Sequence, residues 1–580
     1  MKEKAGRVLN FIQELLQILM SHGAVVYMVL MMVMLPLYFE QGYGYIATDK
    51  AGFFCNVGVN IGKVLLPLFI LYAITTIAVN HAKNRNFFGN DLEKNLVKQS
   101  ICKISAVDFF VGLYGLALIL SYACSDYKAD ALWGTSGWYM GLCPQLIWIG
   151  SYFLIAKFWI PGKWMFYLLF PVGLVVFVLG YLNRFGYYPI EMEYASASYI
   201  STIGNINWYC GYVVPVLFAG VGVLWKFPRK EKRIAENNGE TAQKGRVFLR
   251  GAAYVSLCIF VLVGFATLIT QGSASGILAL GVMMLCLFYL SVKDGRSMLQ
   301  FWVIAGLASL ACVVTMAVRL KFPGAITFSD PFVDLLTTGW IPIALTLVSF
   351  VGMIGSVKWN RVNVKIWKRT AILCVTLVSC ILVVYVLLLT VNTIYPGSIG
   401  KLSEYEVFTF TGSWGSNRGA TWRAAVMCFG EQDFLHKLVG VGPDAMWVYI
   451  MTDGSGELTG MIKDTFGNLR LTNAHNEWLN ILVNMGLLGV ISFVGIIVSA
   501  IVTFFKEKET GIPIACALGI LAHTFNNIFS FQQVLNMTVL FLLLGMGSAI
   551  SATRRSGAGF PEQSSHVPVS EPGCREDMPD

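Results

Sequence analysis

The chain has 580 residues, of which 56% are hydrophobic and only 13% charged, against about 25% charged in a typical soluble domain. This excludes a soluble enzyme, a disulfide-stapled secreted scaffold and a disordered chain, and it places the protein in a membrane. The formal charge of +9, from 42 Lys and Arg against 33 Asp and Glu, is explained by its placement along the chain and calls for no nucleic-acid partner.

Residues 1–23 are basic and then amphipathic, and they run into the apolar stretch 24–39 without the small-residue cleavage site of a signal peptide. That stretch reads as a retained first span. Further apolar runs at 57–79, 104–122, 143–158, 165–181, 207–225, 250–270, 275–291, 301–319, 338–356, 370–392, 476–504, 512–529 and 534–551 predict an all-α polytopic membrane protein with about fourteen helices. Lys and Arg concentrate on alternate loops, which predicts that both termini are cytoplasmic. The expected organisation is N-terminal helices over 1–180, then central helices over 181–392. The central part includes an outer loop at 182–206 and a basic inner loop at 226–250 that suits anionic membrane lipids. One large extracytoplasmic loop follows at 393–472, then C-terminal helices over 473–552 and a polar, Pro-rich, disordered cytoplasmic tail over 553–580. The 13 Cys fall mostly within apolar runs, where thiols act as small hydrophobes. At the outer ends of two neighbouring spans, Cys124 and Cys143 leave both a disulfide and two idle thiols open.

The large loop is too long for a connector. It holds Trp414 and Trp422 with Glu404 and Glu406, residue types that serve a glycan-binding surface and equally the packing of a structured loop. His475 opens the segment NAHNEWLNILVNMGLLGV, residues 473–490. A helix starting there, capped by Asn473, sets its positive end against protonation of the imidazole, and a neutral imidazole is what a general base requires. Gly486 and Gly489 lie further along and permit close helix packing. Arg418 stands at the N-terminal end of a short amphipathic helix, where backbone amides and a guanidinium can hold a phosphate together. Arg423, five residues on, points about 140° away. Arg184 and Arg319 are the other outward cations of note, and with them Arg418 and Arg423 form the candidate diphosphate-binding set. His523 and Asn527, four residues apart, share a helix face that either lines a carrier headgroup or hydrogen-bonds between helices. No Asp-x-Asp pair or His cluster with ligand spacing occurs, so no metal or other cofactor is expected.

Taken together, these segments resemble the O-antigen ligase and O-antigen polymerase family. The spacing from His475 to Gly486 in its Leu-rich helix is similar to the family's terminal motif. Arg418 with Trp422 and Gly440-Val441-Gly442-Pro443 looks like its central motif, and TIGNINWYCGYVVP at 202–215 looks like its GT-x-GN-x-N segment. The resemblance covers roughly residues 180–550. It departs from the family at Ser275, where an Arg is usual, and in the longer spacing between Trp422 and Gly440.

The resemblance implies a GT-C-like membrane glycosyltransferase in a bacterial plasma (inner) membrane, its active site facing the periplasm or cell exterior. It would move oligosaccharide from a polyprenyl diphosphate carrier to a hydroxyl on a glycan or lipid acceptor, in company with membrane lipids and other polysaccharide-assembly proteins. The missing Arg at Ser275 inclines the reading to a repeat-unit polymerase over an O-antigen ligase. A polyprenyl-linked oligosaccharide flippase is the transporter alternative, and it is disfavoured because the two halves show no internal repeat. A catalytically silent scaffold is a third class, weakened by the combined His and Arg motifs.

Overall fold

The computed structural model describes residues 2–40, 42–84, 104–227, 240–324, 331–357, 361–467, 469–507 and 511–555. Within lipid a backbone has to satisfy its own N–H and C=O groups, and these apolar runs do so as helices. The first, α1 (Lys2–Val29), passes through a π turn (Leu30–Met34) into the short α2 (Leu35–Leu37), and α3 (Ile46–Asn84) follows. Next come α4 (Ala106–Cys124), α5 (Lys128–Trp133), α6 (Leu142–Phe158), α7 (Lys163–Tyr167) and α8 (Leu169–Arg184). A two-stranded antiparallel ribbon, β1 (Tyr199–Ile200) and β2 (Gly204–Asn205), pairs Ile200 with Gly204. The central helices are α9 (Ile206–Trp225), α10 (Glu240–Thr270), α11 (Ala274–Ser291), α12 (Gly295–Lys321), α13 (Pro331–Thr337), α14 (Ile341–Val357) and α15 (Arg361–Ile394). The long loop then folds into two 3-10 turns (Gly400–Glu404, Glu406–Phe408), α16 (Trp414–Glu431), α17 (Phe434–Val439), α18 (Met446–Thr452) and α19 (Gly456–Phe466). The chain closes with α20 (Glu477–Phe505), α21 (Gly511–Asn526) and α22 (Val534–Arg555).

Each apolar run of the sequence falls on helix, the runs at 24–39 and 165–181 being divided between consecutive helical pieces. Among the described residues eleven helical stretches are long and apolar enough to cross a membrane, and three more helices, α6, α14 and α21, are apolar but shorter. The protein is therefore an all-α polytopic membrane protein. Much of the basic segment 226–250 and nearly all of the tail 553–580 lie outside the described residues. Both Cys124 and Cys143 are free thiols.

The bundle is organised around α9, α21 and α22, which pack on one another and are buried along almost their whole length. By contrast α15 buries almost nothing along its apolar stretch, which is the surface a helix presents to acyl chains. Asp108 is a polar side chain within the helices that is held by partners, the usual state of an intramembrane polar group. Asp108 caps α4, accepts from Tyr152 at 2.8 Å and pairs with Lys157 at 2.5 Å, which ties α4 to α6.

The long loop builds a nucleus of its own from Ala424, Cys428, Met446, Ile450, Leu458 and Ile462, and this nucleus continues into Val483 of α20. The junction rests on a break in α20. At Gly486 the backbone turns to φ 63, ψ −165, a region open essentially to glycine alone. The carbonyls of Val483 and Asn484 then accept from the N–H groups of Val441 and Gly442, both at 3.1 Å, as a sheet edge would. Gly440 faces Asn484 so closely that a Cβ would lie 2.2 Å from its carbonyl carbon. The close approach expected at Gly486 is made by α17, since a Cβ there would lie 2.4 Å from the Leu438 carbonyl carbon and 2.6 Å from the Val439 nitrogen, and the backbone at 440–442 continues the contact. The nearest neighbours of Gly489 are Met485 and Ile481 of its own helix.

Asp444 locks the same loop to residues 134–141. Its carboxyl accepts from the N–H groups of Thr135 at 2.7 Å and Met140 at 3.3 Å. Burial pushes its pKa up to about 7, against those two hydrogen bonds and the nearby Arg470, which act the other way. Glu477 also faces it. A carboxyl whose folded pKa exceeds its unfolded value favours folding most at low pH, and that contribution is lost as pH rises through the folded value. In thermal-unfolding scans between about pH 4 and pH 7, Asp444→Asn should gain stability relative to the parent as pH rises, because this falling contribution is absent from it.

Candidate functional site

At the loop-bearing end of the bundle three segments converge: residues 473–477 leading into α20, the start of α16, and the turn at 527–533 between α21 and α22. Asn476 caps α20, its side chain accepting from the Leu479 N–H at 3.1 Å. The expectation that Asn473 caps this helix is corrected, since it stands three residues before the cap. Its carbonyl oxygen accepts from the N–H of His475 at 2.9 Å, an Asx turn. That turn accommodates His475 at φ 48, in the left-handed region that few non-glycine residues enter.

The His475 ring stands edge-on to Phe531, centroids 4.9 Å apart. Arg418 reaches the same turn, its Nε donating to the Phe529 carbonyl at 3.1 Å and its Nη1 to Gly415 at 2.8 Å. Burial first, and the Arg418 charge second, lower the pKa of His475 to about 4. Its imidazole is therefore neutral near pH 7. The sequence attributes this neutrality to a helix dipole, whereas the structure assigns it to burial and Arg418. Burial also lowers the pKa of Arg418, yet a guanidinium keeps its charge in proteins. A neutral imidazole next to a fixed cation can take a proton from a hydroxyl while the cation attends an anion.

Glu477 fastens this arrangement from beneath. Its carboxyl accepts from the Gln532 N–H at 2.6 Å, and its own N–H donates to the Asn527 carbonyl at 3.0 Å. Trp422 stacks on Phe529 at 5.5 Å and packs with Trp414, also at 5.5 Å, so the aromatic cluster docks α16 on the turn. Glu406 accepts from the Ser413 hydroxyl at 2.7 Å, and Trp414 donates to the Val407 carbonyl at 3.2 Å. Of the candidate glycan residues, Glu406, Trp414 and Trp422 thus come together, while Glu404 lies exposed on the preceding 3-10 turn.

The remaining cations are engaged elsewhere. Arg423 forms an exposed pair with Glu457 at 3.2 Å. Arg319 binds Asp334 at 2.8 Å and the Thr337 hydroxyl at 2.6 Å. Arg184 is buried and donates to the carbonyls of Thr270 and Ala197, bracing the loop after α8. Of the four arginines expected to bind diphosphate, Arg418 is the one that acts on His475. Ser275, at the position of the missing family Arg, is buried in a hydroxyl seam with Ser273 at 2.7 Å, which in turn donates to Asn207 at 3.0 Å. His523 and Asn527 do share a face and meet at 2.9 Å, but both are buried and offer no surface to a headgroup. Among the described residues no group of three or more His, Cys, Asp or Glu could hold a metal ion.

Sequence reasoning missed Phe529 and Phe531, which carry Arg418 and His475, and it missed Glu477 and Asp444. The alternation Phe529-Ser-Phe531 in an otherwise polar turn was the available signal for the first pair. In comparisons with known proteins, no family model matches the chain and no curated protein matches it.

Proposed function

We propose that the protein is a membrane-embedded glycosyltransferase that moves oligosaccharide from a polyprenyl diphosphate carrier to a hydroxyl acceptor at the outer face of a bacterial plasma membrane. The observation that carries this reading is the neutral His475 held next to the buried cation of Arg418. In such a transfer the acceptor hydroxyl gives its proton to His475 Nδ1 or Nε2 as its oxygen attacks the anomeric carbon. The bond to the carrier's diphosphate breaks, and Arg418 offsets the charge on the departing phosphate. The reading takes this end of the bundle as the outer one, on the expected placement of Lys and Arg on the cytoplasmic loops. The product is read as a polymer of repeat units, on the departure at Ser275 from the ligase-like pattern. An O-antigen ligase uses the same base and cation with a different acceptor.

Purified protein in lipid vesicles should convert a polyprenyl-diphosphate oligosaccharide into longer chains or acceptor conjugates. Absence of transfer to either kind of acceptor sinks the enzyme reading. In cells lacking the gene, single repeat units on a polysaccharide gel mean a polymerase, and free carrier-linked polymer means a ligase. Arg423→Ala should alter the transfer rate by less than about twofold, because an exposed ion pair contributes little. A larger loss in the same vesicle assay would place Arg423 in the site.

A further inference from the structure

Two membrane spans meet the seam between the long loop and α20, and together they locate the edge of the lipid. The span of α4 rises about 28 Å over Ala106–Cys124, and in its last turn the Ser121 hydroxyl donates to the Asn484 carbonyl at 2.6 Å. Ser125, just beyond the helix, donates to the Val441 carbonyl, also at 2.6 Å. Below its break α20 runs from Leu487 to Phe505, again about 28 Å. Each length by itself suits a hydrocarbon core of about 30 Å, so the core ends close to Gly486. From that point down, Leu487, Ile491, Val494, Val498 and Val502 are exposed. Their helical spacing makes one continuous stripe, the face that α20 turns to acyl chains.

A short segment of the loop dips to the same level. The side-chain amide of Gln432 and the N–H of Val441 both donate to the Val483 carbonyl at 3.1 Å, so the two ends of the segment are fastened at one point. Between them α17 reaches on to Gly486, which faces the backbone of Leu438 and Val439. That is about one helical turn nearer the core than Val483. While α17 packs on α4 and α20, its Phe434 is 79% exposed and its Leu435 50% exposed. The polar groups next to them suit a headgroup layer. Asp433 caps α17 by accepting from the His436 N–H at 2.8 Å, and Lys437 has a stem long enough to carry its charge up from an apolar level.

We propose that α17 is an in-plane membrane anchor, with Phe434 and Leu435 inserted among the phospholipids of the leaflet at the loop-bearing end. The occupant is lipid because α17 lies at the height of Leu487, where the exposed stripe of α20 begins, and so continues a surface already turned to acyl chains. An interfacial helix of this kind sets its apolar face about 5–10 Å into the boundary between headgroups and chains. The anchor follows directly on α16, which ends at Glu431, so the helix that bears Arg418 is held at a fixed height by lipid as well as by protein. This inference does not depend on the transferase reading.

The test is photocrosslinking in the full chain, reconstituted in vesicles of phosphatidylcholine and phosphatidylglycerol. The photoreactive residue p-benzoylphenylalanine replaces Phe434, or Leu435 in a second protein that decides the matter if the first does not fold. The same probe in place of Ile491 reports on the lipid-facing stripe. In place of Glu457, exposed on α19, it reports on the aqueous face. Irradiation, digestion and mass spectrometry then measure the phospholipid adduct at each position. The yield at Phe434 should lie within about threefold of that at Ile491 and exceed that at Glu457 by about tenfold or more, as an inserted side chain requires. A yield at Phe434 no greater than at Glu457 overturns the proposal and leaves α17 in water. A crosslink from this position to a second copy of the chain in place of lipid also overturns it, and assigns the face to a contact between protomers.

Discussion

A His475→Ala variant is expected to lose transfer by about 10²–10⁴-fold, the range over which a positioned general base acts, with little change in substrate KM. The pH profile offers a sharper check than the loss itself. A general base works in its neutral form, and His475 is neutral above about pH 4, so the rate should rise through that value and then level off. Arg418→Gln removes one of the two causes of the lowered pKa. It should move the rising limb upward towards the ordinary imidazole value of about 6.5, while burial holds it short of that. It should also lower the plateau by about 10²–10³-fold, as loss of a preorganised electrostatic donor does. A limb that stays in place in Arg418→Gln would show that the arginine does not act on the imidazole.

Gly486→Ala should cause the largest loss of folded protein of any single methyl addition in this region. The residue sits at φ 63, ψ −165, and a side chain in such a conformation costs about 1–3 kcal/mol by itself. A Cβ would also stand 2.4 Å from the Leu438 carbonyl carbon and 2.6 Å from the Val439 nitrogen, both rigid backbone. Gly440→Ala should behave alike, since it meets the same seam from the other side. Gly52→Ala in α3, where a Cβ meets nothing within 4 Å, is the matched control. Thermal unfolding in detergent should separate the two seam variants from the control by well over 10 °C or show no folded material at all. A Gly486→Ala protein as stable as Gly52→Ala would mean that the break in α20 is not part of the folded state.

The sequence resolved the helices better than the site for a physical reason. A run such as 534–551 is apolar on every face, and in lipid that composition leaves the backbone little choice but a helix. Position within the bundle is a different matter, because α15 is the more apolar of the two in sequence and yet is bare, while α22 is buried. His475 and Arg418 were both legible, as a His and an Arg next to helix starts at a membrane boundary. Their meeting was not, because it depends on Phe529 and Phe531, more than 50 residues on in the chain. The cap was assigned to Asn473 in place of Asn476 because both asparagines flank His475 and only the backbone path tells them apart.

The seam between Gly440-Val441-Gly442 and the broken α20 bears on how the protein can be divided. Hydropathy draws a boundary at residue 472, with a soluble segment before it and a membrane segment after. The backbone pairing disregards that boundary: the loop completes the helix, and the helix supplies Val483 to the loop's nucleus. The segment 393–472 is thus not a portable module. Expressed alone it would expose an unpaired edge at 440–442, and grafted onto a relative's helices it would demand a glycine break in register with its own.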